Sequence, residues 1–104
     1  MGHTVKRDDT KTLRWDLDRD LTTVDTARVI VAVTPGGTPV LDRDGTIDSP
    51  ATDGIVSLTL ATSDYGASKL EVGPQYLVEI ETSPGPLTHP DTGYETLRVI
   101  QDLG

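Results

Sequence analysis

Apolar and polar residues alternate with a period of two along most of this chain, and no stretch of ten or more residues carries a convincing helical period. In TLRWDL, residues 12–17, Leu13, Trp15 and Leu17 share one face while Arg14 and Asp16 take the other. That is a half-buried strand. TARVIVAV, residues 26–33, is β-branched and apolar on both faces, which predicts a central strand covered on each side. IVSLTL at 55–60 turns Val56, Leu58 and Leu60 one way and Ser57 and Thr59 the other. YLVEIET at 76–82 turns Tyr76, Val78 and Ile80 inward and Glu79 and Glu81 outward, and YETLRVIQDL from residue 94 closes as the last strand.

Turn chemistry separates these segments. TPGGTP at 34–39 predicts a hairpin, and the Asp44-Gly45 pair in LDRDG is a second strong hairpin signal. DSPATDG at 48–54 is another turn cluster, and residues 83–93, with three prolines and two glycines, read as a loop. The stretch ATSDYGASKLEVGPQ at 61–75 is too polar for a strand and predicts a one-turn helix near residues 63–67, capped by Thr62 or Ser63. Short strands separated by Gly/Pro/Asp turns predict an all-β fold: an immunoglobulin-like antiparallel β-sandwich of about seven strands, with a small barrel as the alternative.

Composition narrows this picture. At 104 residues there is room for one domain, assigned to residues 12–104, and with 35% apolar residues and no Phe its core must come mainly from Val, Leu and Ile. No cysteine is present, so disulfides and thiolate metal sites are excluded. No apolar run approaches the length of a bilayer span and MGHTVKRDD lacks a signal-peptide core, so assembly in the cytoplasm is expected, without a membrane partner.

The net charge of −8 argues against nucleic acid as a partner. Thirteen of the seventeen acids are aspartate and Arg outnumbers Lys, a balance that resembles proteins of salt-loving microbes and their viruses. Against this acidic body, residues 1–11 form a basic arm. Lys6, Arg7 and Lys11 within it and Arg14 just beyond it are the candidate partner contacts, with a solvated terminus as the simpler reading.

Candidate chemistry is sparse. Asp16, Asp18 and Asp20 have the alternate spacing that opens a calcium loop, but the sixth position is Leu21 instead of Gly and the twelfth is Ala27 instead of Glu. A solvent-facing strand edge running into a turn is the expected outcome, with the acids also discouraging edge-to-edge pairing. Asp42, Asp44 and Gly45 imitate the middle of such a loop with no acid at the required distance. His89 lies near Asp91, yet no nucleophile elbow, HExxH or phosphate loop accompanies it. No catalytic residue, metal or cofactor is therefore assigned, and Trp15 and Tyr76 are expected in the core.

Three segments in order carry a resemblance. DTKTLRWDL with DLTTVDTARVIVAV, then SLTLATSDYGASKLEVGPQYLVEIE, then GYETLRVIQDLG resemble the immunoglobulin-like domain at the N-terminus of phage baseplate upper proteins and related small structural proteins of tailed viruses. The middle segment resembles the hallmark, an Asp-containing helical turn followed by Leu, Gly and Tyr, here Asp64, Leu70, Gly73 and Tyr76, with Pro74 and Gln75 lengthening the usual spacing. The family's larger members continue into coiled-coil or receptor-binding regions, so a lone domain is expected to act as an adaptor or decoration. The resemblance implies a non-enzymatic virion protein of a tailed virus, with a haloarchaeal host suggested by the acidic surface. Its partners would be other virion proteins and symmetric copies of itself, in the tail, baseplate or capsid surface. The alternative is a carbohydrate- or cell-surface-binding module, for which exposed Tyr94 or Tyr65 would serve.

Overall fold

The computed structural model describes residues 2–84 and 87–101. Nine strand segments lie among them: β1 (Gly2–Lys6), β2 (Lys11–Asp16), β3 (Thr26–Ala32), β4 (Leu41–Asp44), β5 (Thr46–Ile47), β6 (Ile55–Leu60), β7 (Gln75–Ser83), β8 (Leu87–His89) and β9 (Glu95–Ile100). Since β5 and β8 are only two and three residues long, the substantial strands number seven.

They form two sheets. The larger runs β1-β9-β7-β3-β4, with β8 also on β7, and the smaller runs β2-β6-β5. Placing β2, β6 and β5 in one layer and β3, β7 and β9 in the other gives the immunoglobulin arrangement, with β4 added beside β3. Pairing is antiparallel except for β1, which lies parallel to β9 from Gly2 opposite Thr96 to Lys6 opposite Ile100. Alternation then fills the space between the layers: Leu13 and Trp15 of β2 and Val56, Leu58 and Leu60 of β6 meet Val29, Val31, Tyr76, Val78, Ile80, Leu97 and Val99. Tyr76 also fixes the corner before β7. Its hydroxyl accepts from the Glu71 backbone N–H (2.7 Å) and can donate to the Lys69 carbonyl (3.3 Å), a tyrosine corner.

Several expectations are corrected. The basic arm is not an arm over residues 2–6, because these form β1, with Val5 buried in the core. Asp44-Gly45 is not a hairpin turn. There the chain leaves the larger sheet as β4 and enters the smaller as β5, with the Gly45 N–H bound to the Ala27 carbonyl at 2.7 Å. A side chain does not fit at that crossing, since a Cβ on Gly45 would lie 2.8 Å from the Ser57 carbonyl oxygen and 2.9 Å from Val56 Cγ1. The helical turn is a 3₁₀ turn at Thr62–Asp64, slightly earlier than predicted, held where the Asp64 carboxylate accepts from the Ala61 N–H (2.9 Å). A second 3₁₀ turn, Ala51–Asp53, lies in the segment read only as a turn. The loop at 83–93 contains β8, while its residues 85–86 and the last residues of the expected closing strand, 102–104, lie outside the described residues.

Candidate interaction surface

β3 is central, but only one of its faces is covered. Its inward residues Ala27, Val29 and Val31 are buried, whereas Arg28 is exposed and Ile30 and Ala32 are half-buried on the outer face of the larger sheet. Ala32 lies opposite Leu77 of β7, and Ile30 opposite Glu79. With Tyr94 and the Thr34–Gly37 turn, these side chains line a shallow cavity of about 140 Å³. Tyr94 and Val33 are both exposed large apolar residues.

Around this apolar middle the charges separate. Cross-strand register places Lys6 beside Ile100, Thr4 beside Arg98 and Arg98 beside Gln75 at one corner. At the opposite corner Ile30 lies beside Asp42, and Arg28 beside both Asp44 and Glu81. Arg28 grips Asp42 with two hydrogen bonds of 2.6 and 2.5 Å, which hold the Asp42 carboxyl below its ordinary range. Asp44, Glu79 and Glu81 leave this corner negative.

The two lateral openings of the sandwich are each bridged by one side chain from an edge strand of the larger sheet. On the β4 side the Arg43 guanidinium donates to both Asp64 carboxylate oxygens (2.6 and 2.9 Å) and to the Thr59 carbonyl of β6 (2.8 Å). That pairing keeps the Asp64 carboxyl below the usual range despite its partial burial. On the β1 side His3 Nε2 lies 3.0 Å from the Arg14 carbonyl of β2. A carbonyl only accepts, so this nitrogen carries a hydrogen. His3 also stands edge-on to Trp15, with ring centroids 5.2 Å apart, in an opening of about 360 Å³ lined by Gly2, His3, Arg14, Trp15, Asp16 and Glu95. The buried Trp15 Nε1 has no hydrogen-bond partner among the described residues.

The residues singled out in the sequence fall in different places. Asp16 and Asp20 fold back on their own turns, accepting from the backbone N–H of Asp18 and Thr22, both at 2.8 Å. The Thr22 hydroxyl also donates to Asp20, and this bond, ahead of the one from the Thr22 N–H, lowers the Asp20 pKa. Asp42 and Asp44 project outward from β4 as just described. His89 reaches Glu95 (3.0 Å), whereas Asp91 meets Arg19 (3.5 Å), so the two loop residues are not joined. Trp15 and Tyr76 are core residues as expected, and Tyr65 is buried too, its hydroxyl donating to the Asp9 carbonyl (2.9 Å); of the two tyrosines considered for a glycan surface only Tyr94 is exposed. The four basic residues are exposed but divided. Lys6 projects from the outer face of the larger sheet, Arg14 from that of the smaller, where it pairs with Asp48 (3.4 Å), and Arg7 and Lys11 flank the turn between β1 and β2.

Sequence patterning missed the outer face because an apolar residue pointing to solvent and one pointing into a second core leave the same mark in a strand. The clue was present in β3, where Ile30 and Ala32 repeat on the side opposite Val29 and Val31. Comparison of the chain with protein-family models, with curated proteins and with solved structures gives no match.

Proposed function

We propose that this protein is a non-enzymatic structural component of a tailed virus, an immunoglobulin-like adaptor or decoration module that acts through protein–protein contacts. One observation carries the contact role: the outer face of the larger sheet presents Ile30, Ala32 and Leu77 near its middle, lining one shallow cavity with Tyr94 and Glu79, with charged corners around them. A sheet face of this kind favours flat protein surfaces. The viral setting is supported by the order of the resembling segments, and the immunoglobulin-like module by the tyrosine corner that Tyr76 forms after Asp64, Leu70 and Gly73.

Neighbouring virion proteins and further copies of the chain are the intended partners, with Lys6, Arg7, Lys11 and Arg14 supplying cationic contacts to acidic neighbours. The test is quantitative mass spectrometry of purified particles, with the major capsid and tail-tube proteins as internal standards. A copy number near that of the major capsid protein assigns capsid decoration, and a much smaller constant number assigns tail, neck or baseplate. Absence from particles overturns the proposal.

A further inference from the structure

The outer face of the larger sheet has a geometry of its own. Arg98 on β9 and Asp42 on β4 are three strands apart in the order β9-β7-β3-β4. Along the strands they are separated by the four residues from Gln75, opposite Arg98, to Glu79, which shares a row with Ile30 and Asp42. At about 4.8 Å per strand and about 3.4 Å per residue, both separations are about 14 Å. The line from Arg98 to Asp42 thus runs at about 45° to the strands, and its midpoint falls between two cross-strand neighbours, Leu77 and Ala32. Continued outward, the same diagonal passes near Lys6 at one end and Asp44 at the other.

We propose that this face is the contact between two copies of the chain, related by a two-fold axis that lies in the face, crosses that diagonal and passes between Leu77 and Ala32. Rotation about the axis exchanges the corners. Arg98 of each copy is brought to Asp42 of the other and Lys6 toward Asp44, while the apolar middle of one copy meets that of its mate. The 45° diagonal makes the strands of the two copies cross near a right angle, one of the two stable ways in which sheets pack. Such a contact is self-complementary, as a two-fold interface requires.

Two observations choose a second copy as the occupant. The first is charge: the acidic corner is matched by a basic corner at the symmetry-related place on the same face, so the surface carries its own complement. The second is β3 itself, whose apolar residues on both faces suit a strand covered on each side, although in the single chain one side is open. The face spans five strands and about 27 Å along them, small for a dimer interface, which predicts reversible pairing.

Sedimentation equilibrium of the purified full chain over a wide concentration range, at moderate salt, tests this directly. A monomer–dimer equilibrium that Leu77→Glu abolishes, with the thermal melt of the variant retained, is the expected result. Lys6→Glu and Asp44→Lys should each weaken pairing by about tenfold, and combining them should restore it. A chain that stays monomeric at every concentration overturns the proposal. So does a dimer that Leu77→Glu leaves intact, or a double charge reversal that fails to restore pairing. The proposal shares with the virion reading only the premise that this face is a contact surface. Pairing in solution by a chain absent from particles would remove the particle setting alone, and particles built with a strictly monomeric chain would remove the pairing alone.

Discussion

The two lateral openings of the sandwich are bridged by the same device made from different chemistry. On each side an edge strand of the larger sheet sends one side chain to a backbone carbonyl of the smaller: Arg43 to Thr59 on the β4 side, His3 to Arg14 on the β1 side. Arg43 adds a bidentate grip on Asp64, so its side is held by charge-assisted bonds. His3 contributes one carbonyl contact and an edge-on ring against Trp15, and beside it the opening remains. The carboxylate that Arg43 grips therefore makes its bridge the stronger of the two.

Experiments that break the β4 side should have the larger effects. Gly45→Ala forces a methyl group against the Ser57 carbonyl and Val56 at the crossing between the sheets, and should cost about 2–3 kcal/mol in urea unfolding. Asp64→Asn removes the charged half of the grip and should cost about 2 kcal/mol at neutral pH. The same variant predicts a pH dependence. Asp64 titrates below its ordinary range when folded, so its contribution is complete above the unfolded pKa of about 3.9 and fades as pH falls through the lower folded value. Denaturation curves taken from neutral pH down to strong acid should show the wild type losing its advantage over Asp64→Asn in that window.

On the β1 side the effects should shrink. His3→Ala should cost about 1 kcal/mol or less, the value of one exposed hydrogen bond and a ring contact. Trp15→Phe should be the mildest, within about 1 kcal/mol: it loses packing but also removes an indole N–H that is buried without a partner among the described residues, and the two changes oppose each other. If His3→Ala proves as damaging as Asp64→Asn, the contrast between the two sides fails.

What could be read from the sequence follows the range of each interaction. β2, β6 and β7 announce themselves because a period-two pattern is local, and Ile55–Leu60 emerges with the predicted boundaries. β1 does not, since GHTVK contains one core side chain, Val5, and its pairing with β9 joins residues more than ninety positions apart. Asp44-Gly45 has the composition of a hairpin, and only the approach of Ser57 and Val56 shows why glycine is needed. The Arg43–Asp64 bridge is invisible for the same reason: one partner stands on a strand and the other in a 3₁₀ turn, and only the tertiary fold brings them together. The apolar outer face is half legible, in a β3 pattern that equally fits a strand covered on both sides.

The parallel pairing of β1 with β9 also has a mechanical consequence. Gly2 is aligned with Thr96 and Lys6 with Ile100, so tension applied between the chain before Gly2 and the chain after Ile100 pulls the two strands along their lengths in opposite directions. The load is shared across all five residue pairs at once, and the bonds must be sheared together instead of being unzipped one by one. A domain held in tension from these two ends would resist rupture far better than the same domain peeled from a single edge.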